Sequence, residues 1–144
     1  MRWWFLAVLL AGCAPLFSGS PTLLVSERYG LVVPDARLLA RIQEGPVEIT
    51  EFYYEPQSGY RPRTLDELRQ IGELLRGQLQ AQGFTFRCSR ENLSLLGEAY
   101  WLLRMARDGE GVGLLLRPLA APDHYRLEVA PTPPEPPLFE CPAR

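Results

Sequence analysis

The segment Thr64–Gln82 constrains this chain more than any other. Leu68, Ile71, Leu74, Leu75 and Leu79 recur at helical spacing and form one apolar stripe. Thr64 and Glu67 make a capping box, in which each side chain satisfies an otherwise orphaned backbone N–H. Asp66 and Glu67 also sit well against the positive end of the helix dipole. Gly83 supplies the left-handed position just past the last turn, and Phe84 then falls where it touches Leu79. One amphipathic helix is not a fold. Its stripe needs an apolar sheet face, and the rest of the chain must provide it.

Several segments read as the strands of that sheet. Val47–Tyr54 is rich in β-branched and aromatic residues, and its imperfect alternation suggests a bulge near Glu51. Leu23–Ser26 is a short strand. Phe84, Phe86 and Cys88 alternate with Thr85, Arg87 and Ser89, a parity that turns Cys88 toward the core with the two phenylalanines. Residues 95–107 fit two templates. Leu95, Ala99, Leu102, Leu103 and Ala106 make a helical stripe, whereas Ala99, Trp101, Leu103 and Met105 share one face of a strand. The hairpin signal Asp108-Gly109 decides for strand, with Val112–Arg117 returning and Tyr125–Ala130 adding one more. Pro34-Asp35 reads as the start of a second helix carrying Leu38, Leu39 and Ile42, stopped by Gly45-Pro46.

The expected fold class is therefore α+β: one long amphipathic helix packed on an antiparallel meander sheet. The order of elements resembles cystatin-type rolls, in which a sheet wraps one helix. After Ala130 the chain changes character, with five prolines between Pro131 and Pro137. That density excludes helix or sheet interior and predicts an extended Pro-rich C-terminal tail. It reads as a strap, with Leu138 and Phe139 docked and Cys141 pinning it.

The N-terminus carries an address. Arg2 precedes an apolar run from Trp3 to Leu10, followed by Leu10-Ala11-Gly12-Cys13. A charged start, a short apolar stretch and small residues before a cut form an export signal. The run is far short of the roughly 20 residues a spanning helix needs. The four-residue motif resembles the lipobox of bacterial lipoproteins. That resemblance implies cleavage before Cys13, a thioether-linked diacylglycerol on its sulfur and a further acyl chain (palmitate) on its amine. Several acyl chains hold a protein on a membrane essentially permanently, whereas one binds marginally. In that family Ala14, not being Asp, favours the outer membrane of a two-membrane cell, on its periplasmic face. The expected organisation is a signal peptide (1–12), a lipidated tether (13–21), a single α+β domain (22–130) and the Pro-rich strap (131–144).

Composition narrows the function classes. A hydrophobic content of 47% with 22% charged residues suits a folded domain and not a disordered one. All basic side chains but His124 are Arg, as a GC-rich genome produces, and the formal net charge is −2. Loss of Arg2 with the signal makes it one unit more negative, and no basic patch speaks for nucleic acid. With Cys13 acylated, Cys88 and Cys141 remain as an even pair in an oxidising compartment, which predicts a disulfide. Two distant cysteines and one histidine lack metal-ligand spacing, so no metal or cofactor is expected.

The candidate chemistry is sparse. His124, the sole histidine, sits in an expected loop without a nucleophile elbow and reads as a surface histidine. Glu48, Glu51 and Glu55 lie among Phe52, Tyr53 and Tyr54, where a glycosidase pair or a solvated strand face would use the same letters. The stretch Phe52-Tyr53-Tyr54-Glu55-Pro56-Gln57-Ser58-Gly59-Tyr60 runs from strand into polar loop, and loops carry function more often than frameworks. Phe52, Tyr53, Tyr54 and Tyr60 are the expected partner-binding residues, since such rings give contact area at modest entropic cost. The leading expectation is a non-catalytic envelope lipoprotein that binds a protein partner. The alternatives are a small hydrolase acting on peptidoglycan through His124 or the Glu51/Glu55 pair, and a carrier of an apolar ligand.

Overall fold

The computed structural model describes residues 21–55, 66–92, 98–131 and 141. The signal, Cys13, Tyr60, Thr64, Leu95 and the proline-rich run with Leu138 and Phe139 lie outside the described residues. Among the described residues the elements follow in order: β1 (Thr22–Ser26), β2 (Leu31–Pro34), β3 (Ala36–Glu44), β4 (Val47–Tyr54), α1 (Asp66–Ala81), β5 (Thr85–Asn92), β6 (Tyr100–Arg107), β7 (Glu110–Pro118) and β8 (His124–Ala130). The fold is α+β. β1 and β2 form a small antiparallel hairpin, and the other strands make one antiparallel sheet in the order β3-β4-β8-β7-β6-β5.

The sheet is a meander closed by one long return. β5 to β8 run side by side, and β8 then pairs with β4, the strand that precedes the helix. Segment 95–107 resolves as strand from Tyr100 onward. Trp101, Leu103 and Met105 face the core, as the period-two template requires, with Ala99 packed against it. Asp108 and Gly109 both adopt positive φ, as a tight turn matching the strand twist demands.

α1 buries Leu68, Ile71, Leu75 and Leu79 against this sheet. Leu74, expected in the same stripe, is exposed instead, because it lies beyond the arc that the sheet covers. Gly72 lets the helix approach so closely that a Cβ there would lie 2.4 Å from the Trp101 ring. At the far end Gly83 takes φ 94°, Phe84 N–H donates to Leu79 O at 3.1 Å and Gly83 N–H to Gln80 O at 3.0 Å. This is the expected Schellman cap.

The segment read as a second helix is β3. Asp35 has φ 60°, outside the helical region, and Gly45 at φ 57° with Pro46 forms a two-residue hairpin turn. β3 pairs along its length with β4, so Leu38, Leu39 and Ile42 sit on an edge strand and are exposed rather than forming a helix face. The irregularity expected near Glu51 exists, but β3 carries it: the register shifts between Leu38 and Ala40, opposite Phe52 and Glu51.

A second register shift corrects the reading of β5. It falls between Phe86 and Cys88 and sets Cys88 opposite Arg104, on the face away from the helix. Phe86 is exposed, with the Arg76 guanidinium 4.5 Å from its ring centre, and only Phe84 enters the core. Cys88 is bonded to Cys141, with Cα atoms 5.7 Å apart. Ala130, Gly113, Arg104 and Cys88 occupy one cross-strand row. The chain therefore leaves β8 about 14 Å from the strand to which Cys141 fastens it.

The β1–β2 hairpin shares the helix side of the sheet. Gln78 reads both backbone groups of Val32, accepting from its N–H at 2.9 Å and donating to its carbonyl at 2.7 Å. Gln82 donates to Tyr29 O at 2.6 Å. These amides satisfy a strand edge that would otherwise be open.

Candidate contact surface

Strand parity divides β4 between two environments. Phe52 points into the core at 0% exposure, packed against Tyr125 with ring centres 5.9 Å apart. Its expected place among the contact residues is thus withdrawn, since a buried ring offers no surface. Tyr53 and Tyr54 are half-buried at the end of the strand. Tyr54 meets Tyr125 edge-on at 6.3 Å, and Tyr53 meets His124 at 5.2 Å.

A rim of backbone surrounds these rings. Tyr54 N–H donates to Asp123 O at 2.9 Å, Glu55 N–H to Asp35 O at 2.8 Å and Asp35 N–H to Pro21 O at 2.6 Å. The β7–β8 connection closes on itself through Leu119 N–H to His124 O at 2.7 Å. His124 opens β8 instead of preceding it, and its Nδ1 lies 2.7 Å from Pro122 O. Its ring is held by a backbone carbonyl and a tyrosine.

The acidic trio separates. Glu48 reaches the β1–β2 turn, accepting from Ser26 Oγ at 2.6 Å, Glu27 N–H at 2.8 Å and Arg28 N–H at 3.4 Å. Glu51 lies on the opposite face, 4.0 Å from Arg126. Four residues of extended chain put Glu51 and Glu55 about 13 Å apart, whereas paired glycosidase carboxylates sit roughly 5–9.5 Å apart. The structure does not bring the two together.

Register builds a cluster that the sequence reading missed. Arg126 lies directly between Glu51 on β4 and Arg117 on β7, and Glu128 stands in the next row. Glu128 accepts from Arg117 at 3.4 Å and pairs with Arg126 at 3.5 Å. Two like charges side by side are tolerable because two carboxylates bracket them. The alternation in Tyr125–Ala130 already set Arg126 and Glu128 on one face; their partners are visible only once the strands are paired.

A cleft of about 180 Å³ opens between β1, β3 and β4, lined in part by Ser26, Arg41, Gln43 and Glu48. Ligand pockets generally run from about 300 to 1,000 Å³. Among the described residues no group of three His, Cys, Asp or Glu gathers as for a metal ion, and no helix is long and apolar enough to cross a membrane. No protein-family model matches the chain, and the comparisons with curated proteins and with solved structures found no match.

Proposed function

We propose that this protein is a lipid-anchored lipoprotein of the cell envelope, held through Cys13, that acts by contact as a non-catalytic accessory to a larger assembly. The observation that carries the reading is the pair of half-buried tyrosines, Tyr53 and Tyr54, that closes the end of β4. Beside them Glu51 and Glu128 hold Arg126 and Arg117, and His124 rests on a carbonyl and a ring. The half-buried rings of Tyr53 and Tyr54 present amphipathic surface there, which suits a protein partner.

Two further features support the anchored part. Leu10-Ala11-Gly12-Cys13 has the order of a lipobox. The Cys88–Cys141 bond suits an oxidising compartment, and an outer-membrane, periplasm-facing position agrees with both. The cystatin-type roll is proposed as an analogy of layers, one helix against one antiparallel sheet, and carries no function with it.

The test is a photo-crosslinking amino acid placed at Tyr54 or Tyr60 in the native membrane. A discrete heavier adduct containing one partner is expected, and repeated recovery of the monomer alone would count against the proposal. Intact mass of the processed protein checks the anchor separately, by the acyl groups on Cys13.

A further inference from the structure

We infer that the corner of the fold bearing Leu24, Leu38 and Leu39 is a bilayer-docking face, pressed against the lipid surface by the tether. The inference rests on the anchored reading above and deepens it by naming what the anchor brings into contact.

The exposed apolar side chains are unevenly placed. Leu24 (38% exposed), Leu38 (47%), Leu39 (49%) and Ile42 (42%) lie on β1 and the edge strand β3, while Leu74 and Phe86 lie on α1 and β5. β5 is the opposite edge of the sheet, five strands and about 24 Å away. A long edge strand with exposed leucines is a liability that proteins in free solution avoid, and a patch of this kind marks an interaction surface.

The tether identifies the occupant. The chain joins the fold at Pro21, whose carbonyl accepts from Asp35 N–H at 2.6 Å, immediately before β3 begins. Leu38 follows three residues on, about 10 Å along the strand, and Leu24 is as near along β1. From Cys13 to Pro21 the chain spans at most about 28 Å, less than the breadth of a domain this size, on the order of 35 Å. A lipid on Cys13 therefore ties the fold at this corner, with the β5 edge about 24 Å farther from the point of attachment.

The chemistry of the corner fits lipid better than a second protein strand. Exposed Arg37 lies beside Leu38, as suits anionic headgroups, while Arg41 donates to the Leu24 carbonyl. Tyr53 lies opposite Arg37, an amphipathic ring suited to the interface. The register shift between Leu38 and Ala40 breaks the regular edge that strand addition by another copy would need. Docking would place the Tyr53–Tyr54 rim at headgroup level, where a partner in the same membrane meets it.

The test uses the processed, full-length protein reconstituted into phosphatidylethanolamine–phosphatidylglycerol vesicles, with and without chain-brominated lipid. Leu38→Trp is compared with Phe86→Trp, against the background of Trp101 in the core. Bromolipid should reduce the added Leu38→Trp emission at least threefold and leave that of Phe86→Trp unchanged. Leu39→Trp repeats the reading should the first variant fold poorly. Equal quenching at both edges, or none at Leu38→Trp in protein that floats with the vesicles, would overturn the docking face and leave the anchor standing. A blue-shifted but unquenched Leu38→Trp would assign the edge to a protein surface instead. Protein that does not float, with an unmodified Cys13 in its mass spectrum, would remove the anchor and the inference together.

Discussion

Gly72 and Gly77 lie on one helix and answer to opposite rules. A helical glycine normally costs about 1 kcal/mol relative to alanine. Gly77 faces open space, with nothing within 4 Å of where a methyl would sit, so Gly77→Ala should stabilise the protein by about 0.5–1 kcal/mol. At Gly72 the same methyl meets the Trp101 ring, and overpacking of that kind costs about 1–3 kcal/mol. Gly72→Ala should destabilise by about that amount, and urea unfolding of the pair checks both signs. Tyr29 offers a prediction in pH. Burial, the largest cause, raises its phenol above the ordinary value of 10, with Arg28 opposing and Glu110 and Glu48 adding. The folded state thus holds this proton more tightly than the unfolded chain does. Its contribution is complete below pH 10 and is lost as pH rises through the raised value. Tyr29→Phe loses the bond to Gly111 O, which costs about 1 kcal/mol at neutral pH. The gap in melting temperature between wild type and variant should narrow above pH 10.

At the scale of elements, side chains from elsewhere complete what short strands cannot. The β1–β2 hairpin is too small to stand alone, and Glu48 binds its turn through Glu27 and Arg28 N–H and Ser26 Oγ. Glu48→Ala should destabilise the protein by about 2 kcal/mol, the scale of hydrogen bonds to a charged group. Amide exchange at Glu27 should quicken before that of β7 and β8 does. Elements with local signatures were legible in the sequence: α1 through its stripe and cap, β6–β7 through Asp108-Gly109, β4 through its composition. β3 was not. Gly45-Pro46 ends a helix or turns a hairpin with equal ease, and Leu38, Leu39 and Ile42 fit a helix stripe. Pairing with β4 decided the matter, and no short window contains that pairing. The acidic trio left a shared site and a solvated strand face equally spelled, and strand parity sent Glu48 and Glu51 to opposite faces.

At the scale of the whole molecule, the described residues make an antiparallel sheet with α1 and the β1–β2 hairpin on one face and the β5 edge fastened by Cys88–Cys141. The bond closes a separation of 53 residues, worth about 4 kcal/mol in the chain-entropy picture. Replacing both cysteines by serine should lower the unfolding free energy by about that much, measured in denaturant under the same buffer. The sequence by itself determined the class of fold, the helix C-cap, the Asp108-Gly109 turn and the shared face of Trp101, Leu103 and Met105, and it predicted the Cys88–Cys141 bond. Each depends on periodicity, turn chemistry or residue type, which act within a few residues or by simple count. Only the tertiary structure decided that Phe52 is core and not contact surface, that Cys88 faces away from the helix, and that Arg126 stands between Glu51 and Arg117. Those outcomes follow from register. A one-residue shift turns a side chain to the other face of a sheet, and the partner strand that sets the shift lies far along the chain.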